Sequence, residues 1–268
     1  MKTINKISFN DIENIPQLIK DFLDQKIEGF EESTFSLDHF GKQIHLKQQS
    51  FTQEQRNELF NELERQHSNL QLSTKQKENL ENLKLSYTFT ITTGHQLNLF
   101  SGPVFFVYKI LQTIKTCSYL KVNFPDFNFV PVYWMASEDH DFAEINHFKT
   151  ENNYYEINEK SGGPVGRIQV SDTFFISEFE KEFKDSVFGT ELILMLKEAY
   201  KVGNTLTEAI KILVNRLFSD FGLLIIDGDS KALKNQIKDI FKDEILNSSL
   251  YNISKEKVNF LKLFKNFS

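Results

Sequence analysis

The spacing of hydrophobic positions changes several times along this chain, and each change marks a predicted element. Residues 1–48 hold only short apolar clusters, at 15–19 and 30–37, with no settled period. From Thr52, residues Leu59, Phe60, Leu63, His67 and Leu70 recur at intervals that trace one face of a helix. Thr52 with Gln55, and Ser73 with Gln76 ahead of Leu80 and Leu83, have the spacing of reciprocal caps. Residues 52–84 therefore read as two helices. The period then drops to two: Tyr87, Phe89 and Ile91 alternate with Thr88, Thr90 and Thr92, as in a strand. That strand is expected to stop at a polar turn, Thr93-Gly94-His95-Gln96. Pro103 opens a helix over about 103–120, carried by Val104, Val107, Tyr108, Leu111 and Ile114. Residues 127–135, FNFVPVYWM, are apolar at both parities, the mark of a buried parallel strand, although Pro131 argues against a central place in a sheet.

A second polar turn, Ser137-Glu138-Asp139-His140-Asp141, closes that strand. Strand, turn, helix, strand, turn is the grammar of a doubly wound α/β sheet. Residues 150–200 interrupt it. They offer short strands around Tyr154–Ile157 and Ile168–Val170, with a turn at 161–164 between them, and read as an insertion. A third cap pair, Thr205 with Glu208, starts a helix through Leu206, Ile210, Leu213, Leu217 and Phe218 that ends at Gly222. Residues 223–226 form a buried strand closed by Asp227-Gly228-Asp229, and a helix follows over 231–246. The predicted organisation is an N-terminal, mostly helical segment (1–85), the first part of a Rossmann-like core (86–149), a connecting insertion (150–203) and a second part of the core (204–268).

Composition narrows the classes. The 268 residues are 40% hydrophobic and 25% charged, with 27 Phe, which excludes a disordered or collagen-like chain. Five of 11 Gly and four of 5 Pro fall between Gly94 and Gly166, so backbone punctuation concentrates where a site is sought. The net charge of −6 leaves no basic surface for nucleic acid. The N-terminus has no apolar signal core, and the most apolar run, 103–111, contains Lys109 and is far short of the ~20 residues of a membrane span. The lone Cys117 reads as a core thiol on a helix. A soluble cytoplasmic protein is expected.

Candidate chemistry gathers in the two turns, which share one rim if the sheet is parallel. Thr93-Gly94-His95-Gln96 offers a glycine, an imidazole and an amide suited to a phosphate or carboxylate; the alternative is a turn histidine without a role. Glu138-Asp139-His140-Asp141 packs three carboxylates and an imidazole into four residues, suited to acid/base work, amine recognition or metal binding, or else to a solvated helix cap. His140, Glu144 and His147 share one helical face, a possible zinc set, but no HExxH is present and metal is not favoured. Trp134, Phe105 and Phe106 read as core. Arg167 is an anion partner or an exposed strand arginine. Asp227 and Asp229 are rim residues or an ordinary turn.

The blocks TGHQLNLFSGPVFFVYKILQTIK and VPVYWMASEDHDFAEINHF, followed by GPVGRI and GNTLTEAIKILVNRLFSDFGLLIIDGD, strongly resemble the BshC family, over about residues 50–246. The resemblance implies a Rossmann-like core with a connecting-peptide insertion, a C-terminal coiled coil and a homodimer. It implies a ligase that joins L-cysteine to the amino group of glucosaminyl malate, giving bacillithiol. By the same carry-over His95, Glu138, Asp139, His140 and Asp141 are expected to be catalytic, and Thr93, Gly94, Gln96, His147 and Arg167 to bind substrate. The activating group is unknown; a nucleotide such as ATP is expected, although no P-loop is visible. Family members are about twice as long, so the chain is expected to correspond to their N-terminal half, without the coiled coil. Two alternatives stay open: a nucleotidyltransferase-like enzyme of related fold, and a non-catalytic binding fragment.

Overall fold

The computed structural model describes residues 7–30, 36–159 and 162–263; part of the apolar cluster at 30–37, and Ser161 of the turn at 161–164, lie outside them. Two compact units result, residues 51–236 and residues 1–50 with 237–268. In the smaller unit, a 3-10 turn at Phe9–Asp11 is followed by helices α1 (Gln17–Leu23) and α2 (Leu37–Ser50).

The larger unit begins with the two predicted helices, α3 (Gln53–His67) and α4 (Thr74–Asn82), each opened by the predicted reciprocal cap. Strand β1 (Thr88–His95), helix α5 (Phe105–Asn123) and strand β2 (Asn128–Met135) follow. Next come a four-residue helix α6 (Phe142–Ile145) and an antiparallel hairpin of β3 (His147–Lys149) and β4 (Tyr154–Glu156). Two helices, α7 (Phe174–Phe183) and α8 (Gly189–Ala199), precede α9 (Leu206–Phe218), which has the third reciprocal cap. Strand β5 (Leu224–Asp227) and helix α10 (Lys231–Asn235) complete this unit. The smaller unit resumes with α11 (Lys238–Asn247) and α12 (Ser249–Leu263).

The main sheet is parallel, in the order β1-β2-β5. The apolar run of β2 feeds both of its faces. Tyr133 and Met135 join Leu223 and Ile225 under α5 and α9, in a core that also holds Phe106, Ile110, Ile210 and Leu213. Val130 and Val132 join Leu224 and Ile226 under α3 and α4, with Phe60, Leu63 and Leu80. The mixed α/β class and the parallel sheet are as expected. Pro131 sits in the central strand because β5 pairs only from Val132 onward; at Pro131 the strand is still an edge, where a missing donor is tolerated.

Several local expectations are corrected. The strand does not stop before Thr93 but runs on through Gly94 and His95, paired with Trp134 and Met135. The helical face of His140, Glu144 and His147 does not form, because α6 ends at Ile145 and His147 belongs to β3. Ile168 and Val170 lie outside any strand, next to a single bridge from Gln169 to Thr205. The segment 231–246 is two helices broken near Gln236. Phe106 is core, but Phe105 is 51% and Trp134 37% exposed. Trp134 continues the parity of Val130 and Val132 to a level that α3 and α4 leave uncovered. Among the described residues, no helix is long and apolar enough to cross a membrane.

Candidate functional site

At the carboxyl end of β1, His95 lies between the rings of Phe105 and Phe106, with centroids 5.3 and 5.2 Å away. The backbone N–H of Gln96 donates to His95 Nδ1 at 3.0 Å, which places the ring proton on Nε2. Burial, with a smaller contribution from the Lys109 charge, pushes the imidazole pKa down. Lys109 itself reaches from α5 to the Gly94 carbonyl at 2.5 Å. Gly94 is extended, and a Cβ built there would only touch Trp134 at 3.8–3.9 Å; the position does not need glycine for its conformation.

Gln96 joins the two turns. Its Nε2 donates to Asp139 Oδ2 and to Glu144 Oε2, both at 2.9 Å. Asp139 also accepts the backbone N–H groups of His140 at 2.7 Å and Asp141 at 3.3 Å. The Gln96 hydrogen bond, followed by these backbone donors, holds its carboxyl below the usual range. The loop carrying Gln96 is pinned by Phe100, a non-glycine residue at φ 57°. Its ring meets Phe148, Phe175, Phe179 and Tyr200 at 4.4–5.6 Å, and its N–H donates to the Tyr200 hydroxyl at 3.0 Å. That packing holds a backbone conformation that costs a side-chain-bearing residue about 1 kcal/mol or more.

A second cluster forms where β2 and β5 end. Ser137, buried after β2, donates its hydroxyl to Asp227 and accepts the Asp229 N–H at 3.1 Å. The Gly166 N–H donates to the Ser137 carbonyl at 2.9 Å. A Cβ on Gly166 would come within 2.6 Å of the Ser137 Cβ, so this approach requires glycine. The approach brings Arg167 to the rim, where its Nε donates to Asp229 at 2.6 Å, and Lys234 donates to the other oxygen at 2.8 Å. Burial raises the Asp229 carboxyl, but these two cations outweigh it and hold the pKa low. Glu138 is exposed and rests its carboxylate on Gly228. Beneath lies Glu62, which accepts Arg65 at 2.6 and 2.9 Å, Ser230 at 2.7 Å and Gln66 at 2.8 Å. Arg65 is the main cause that takes its pKa to about 2.

The structure thus brings Gln96, Asp139 and Glu144 together, with His95 at the base of the same loop, and sets Arg167 on the neighbouring acidic pair. It does not gather every expected residue. The His140 side chain is 90% exposed. His147 turns to Asn146 at 3.0 Å and stacks on Tyr154. Thr93 faces α5 within β1, and Asp141 starts α6 without a side-chain cap. Among the described residues, no three His, Cys, Asp or Glu side chains are placed to hold a metal ion. Ser137, Glu62 and Lys211 escaped sequence reasoning. Lys211 donates to the Gln66 carbonyl at 2.5 Å, and burial lowers its pKa. Nothing in their spacing marks them as one cluster, because Ser137 meets Asp227, Lys211 meets Gln66 and Glu62 meets Ser230 across 90 or more residues. A groove of about 550 Å³ lies beside the start of β5 rather than its end, lined by Asn69, Gln71, Asn215, Arg216 and Asp220 among others; it contains none of the rim residues.

A family model described as "Bacillithiol biosynthesis BshC, N-terminal Rossmann-like domain" matches residues 2–265. Proteins from Flavobacterium johnsoniae, Flavobacterium psychrophilum and Cytophaga hutchinsonii, each named "Putative cysteine ligase BshC", are 40%, 41% and 37% identical over 96%, 94% and 91% of this chain. The matches cover 49%, 48% and 45% of those proteins, so the chain spans about half the length of the curated relatives it matches. With the parallel sheet, the two rim blocks and a family match over nearly every residue, the chain belongs to the BshC family of bacillithiol biosynthesis.

Proposed function

We propose that this chain carries part of the active site of a cysteine ligase, which joins the carboxyl group of L-cysteine to the amino group of glucosaminyl malate. The observation that supports this reading is the Gln96 bridge, which sets the carboxylates of Asp139 and Glu144 on one rim. Asp139, ionised at neutral pH, is suited to hold an ammonium group or to accept the proton an attacking amine sheds. Neutral His95, with its proton on Nε2, is a preorganised donor to oxygen. Arg167 and Lys109 are the cations suited to a carboxylate or phosphate. In this reading Thr93, Gly94, Glu138, His140, Asp141 and His147 line the approach, and 150–203 is the connecting segment. Amide formation from a free carboxylate expels water and needs activation, for which a nucleoside triphosphate such as ATP is the proposed co-substrate.

The test is production of bacillithiol from L-cysteine, glucosaminyl malate and ATP, followed by mass spectrometry. The assay uses the chain alone and the chain supplemented with the other half of a curated relative. Turnover is expected in the second case. Gln96→Ala should lower kcat/KM about 10- to 100-fold, the loss of two hydrogen bonds to charged groups, with folding stability changed by less than about 1 kcal/mol. Absence of product in both mixtures, or full activity in the variant, sinks the reading.

A further inference from the structure

The groove of about 550 Å³ beside the start of β5 is built from three stretches far apart in sequence. They are the loop between α3 and α4 (residues 69–73), the end of α8 with the turn after it (198–204), and the second half of α9 with residues 219 and 220. Its volume falls within the range of about 300–1,000 Å³ usual for small-molecule sites. Hydrogen bonds brace its walls. Asn215 Nδ2 donates to the Gln71 carbonyl at 3.2 Å, the Ser73 hydroxyl to the Ser219 carbonyl at 2.6 Å, and Asn204 Nδ2 to the Ala199 carbonyl at 2.9 Å. The α3–α4 loop is also fixed from both sides, by contacts that cover the outer edge of β5. Before the loop, the Asp227 N–H donates to Gln66 Oε1 at 2.7 Å and the Ile225 N–H to His67 Nε2 at 3.1 Å. After it, Gln76 Nε2 donates to the Leu223 carbonyl at 2.7 Å. The walls are set before any ligand arrives, so binding has little ordering cost to meet.

The charged residues of the lining are arranged differently from those braces. Glu198, Lys201, Arg216 and Asp220 all line the groove and are exposed, and none has a hydrogen-bond or ion-pair partner among the described residues. Their spacing would let them neutralise one another: Glu198 and Lys201 are three apart, and Arg216 and Asp220 four apart. Elsewhere in the chain such neighbours do pair, as Glu62 with Arg65, Glu81 with Lys84 and Glu178 with Lys181. Here two cations and two carboxylates surround one polar groove and stay apart. The side-chain amides of Asn69 and Gln71, on the same lining, are likewise without a partner among the described residues.

We propose that this groove is a ligand site separate from the rim, and that it takes a small amine bearing two carboxylates. Lys201 and Arg216 receive the carboxylates, Glu198 and Asp220 hold the ammonium group, and the Asn69 and Gln71 amides bond the polar remainder. A simple anion would meet the two acids as like charges, and a simple cation would meet Lys201 and Arg216, so each satisfies only half of the lining. The site is not a second mouth of the rim. Helix α9 lies between them: the Leu206 N–H donates to the Ile168 carbonyl, next to Arg167, and Arg216 stands ten residues further on, about 15 Å along the helix. The charge set of the groove is independent of the ligase reading. The choice of glucosaminyl malate as one probe rests on that reading, since it is the proposed acceptor and carries an amine and two carboxylates.

The test is titration of the 268-residue chain with L-aspartate, glucosaminyl malate, malate and glucosamine, read by calorimetry and by the NMR shifts of the Asn69 and Gln71 side-chain amides. At least one of the first two should bind with a Kd below about 1 mM and move both amides; which one does so tells an amino-acid source from an amino-sugar source. Malate and glucosamine, each with half of the charged groups, should bind at least about tenfold more weakly. Arg216→Gln and Asp220→Asn should each weaken binding about tenfold or more, with urea midpoints unchanged because neither side chain has a partner to lose. Gln96→Ala, at the rim, should leave this binding as it is. The proposal is overturned if neither dicarboxylate amine moves the two amides, if malate alone binds as tightly, or if the two groove variants bind like the parent chain. Binding here without bacillithiol in the reconstituted assay removes the ligase reading and leaves the groove site standing; bacillithiol formed without binding here does the reverse.

Discussion

The buried His67 ring makes two backbone contacts of opposite kind. Nδ1 lies 2.7 Å from the Leu63 carbonyl, one turn back in α3, and Nε2 accepts the Ile225 N–H at 3.1 Å. The first contact needs a proton on Nδ1, and the second needs Nε2 bare. Burial drives its pKa from 6.5 down to about 4. The sign of the pH effect follows. Below pH 6.5 the unfolded chain takes up a proton that the folded chain refuses, so stability falls as pH drops from about 6.5 towards 4. The expected loss is about 2 kcal/mol between pH 6.5 and 5. Urea midpoints across that window check it; a flat profile, or the same slope in His67→Gln, contradicts it. Glu62 acts in a lower window, since its stabilising ion pair is lost only as pH falls from 4.5 towards 2. At this scale, reading the sequence located Gln96 and Asp139 because they sit in dense polar blocks after apolar runs. It set His140, Glu144 and His147 on one helical face, which does not form because α6 ends at Ile145 and His147 belongs to β3.

Elements with local signatures were legible. All three reciprocal caps, at Thr52, Ser73 and Thr205, form as their spacing requires. Helices α7 and α8 fall within residues 150–203, which the sequence marks as an insertion with short strands. Their helical spacing (Phe175, Ile176, Phe179; Ile193, Leu196, Ala199) is present in the sequence, on the C-terminal side of the short strands expected around the glycine turn. The ends of β1 and α6 were illegible for a physical reason: strand length at Gly94 and His95 is set by pairing with Trp134 and Met135, a partner 40 residues on. The same long-range logic makes Gln76 a structural residue. It is fully buried, and its amide serves Asn215 Oδ1 at 2.9 Å as well as the Leu223 carbonyl. Gln76→Leu keeps the bulk but strands both acceptors, so a loss of about 1–3 kcal/mol is expected from the urea midpoint. A change below about 0.5 kcal/mol would show that water replaces the amide.

At the scale of the molecule, the larger unit is a three-layer sandwich whose halves meet at the sheet. Cys117, buried on α5 with its thiol pKa pushed up to about 12 by burial, reports on that sandwich. A disulfide reagent such as DTNB should label it only as fast as the larger unit unfolds, so the labelling rate and the global unfolding rate should change together with urea. Rapid labelling in native buffer would reveal a local opening of α5 instead. The covered edge of β5 carries a different consequence. Residues 223–226 are Leu-Leu-Ile-Ile, apolar at both parities, so a one-residue slip would exchange the side chains of the two cores at almost no cost in hydrophobicity. Gln66, His67 and Gln76 distinguish the two arrangements, since their polar atoms meet only every second backbone group. They lie 147 to 161 residues before the groups they read. The strand richest in hydrophobic side chains is thus held in phase by polar ones, and during folding it cannot find its place until α3 and α4 stand ready to receive it.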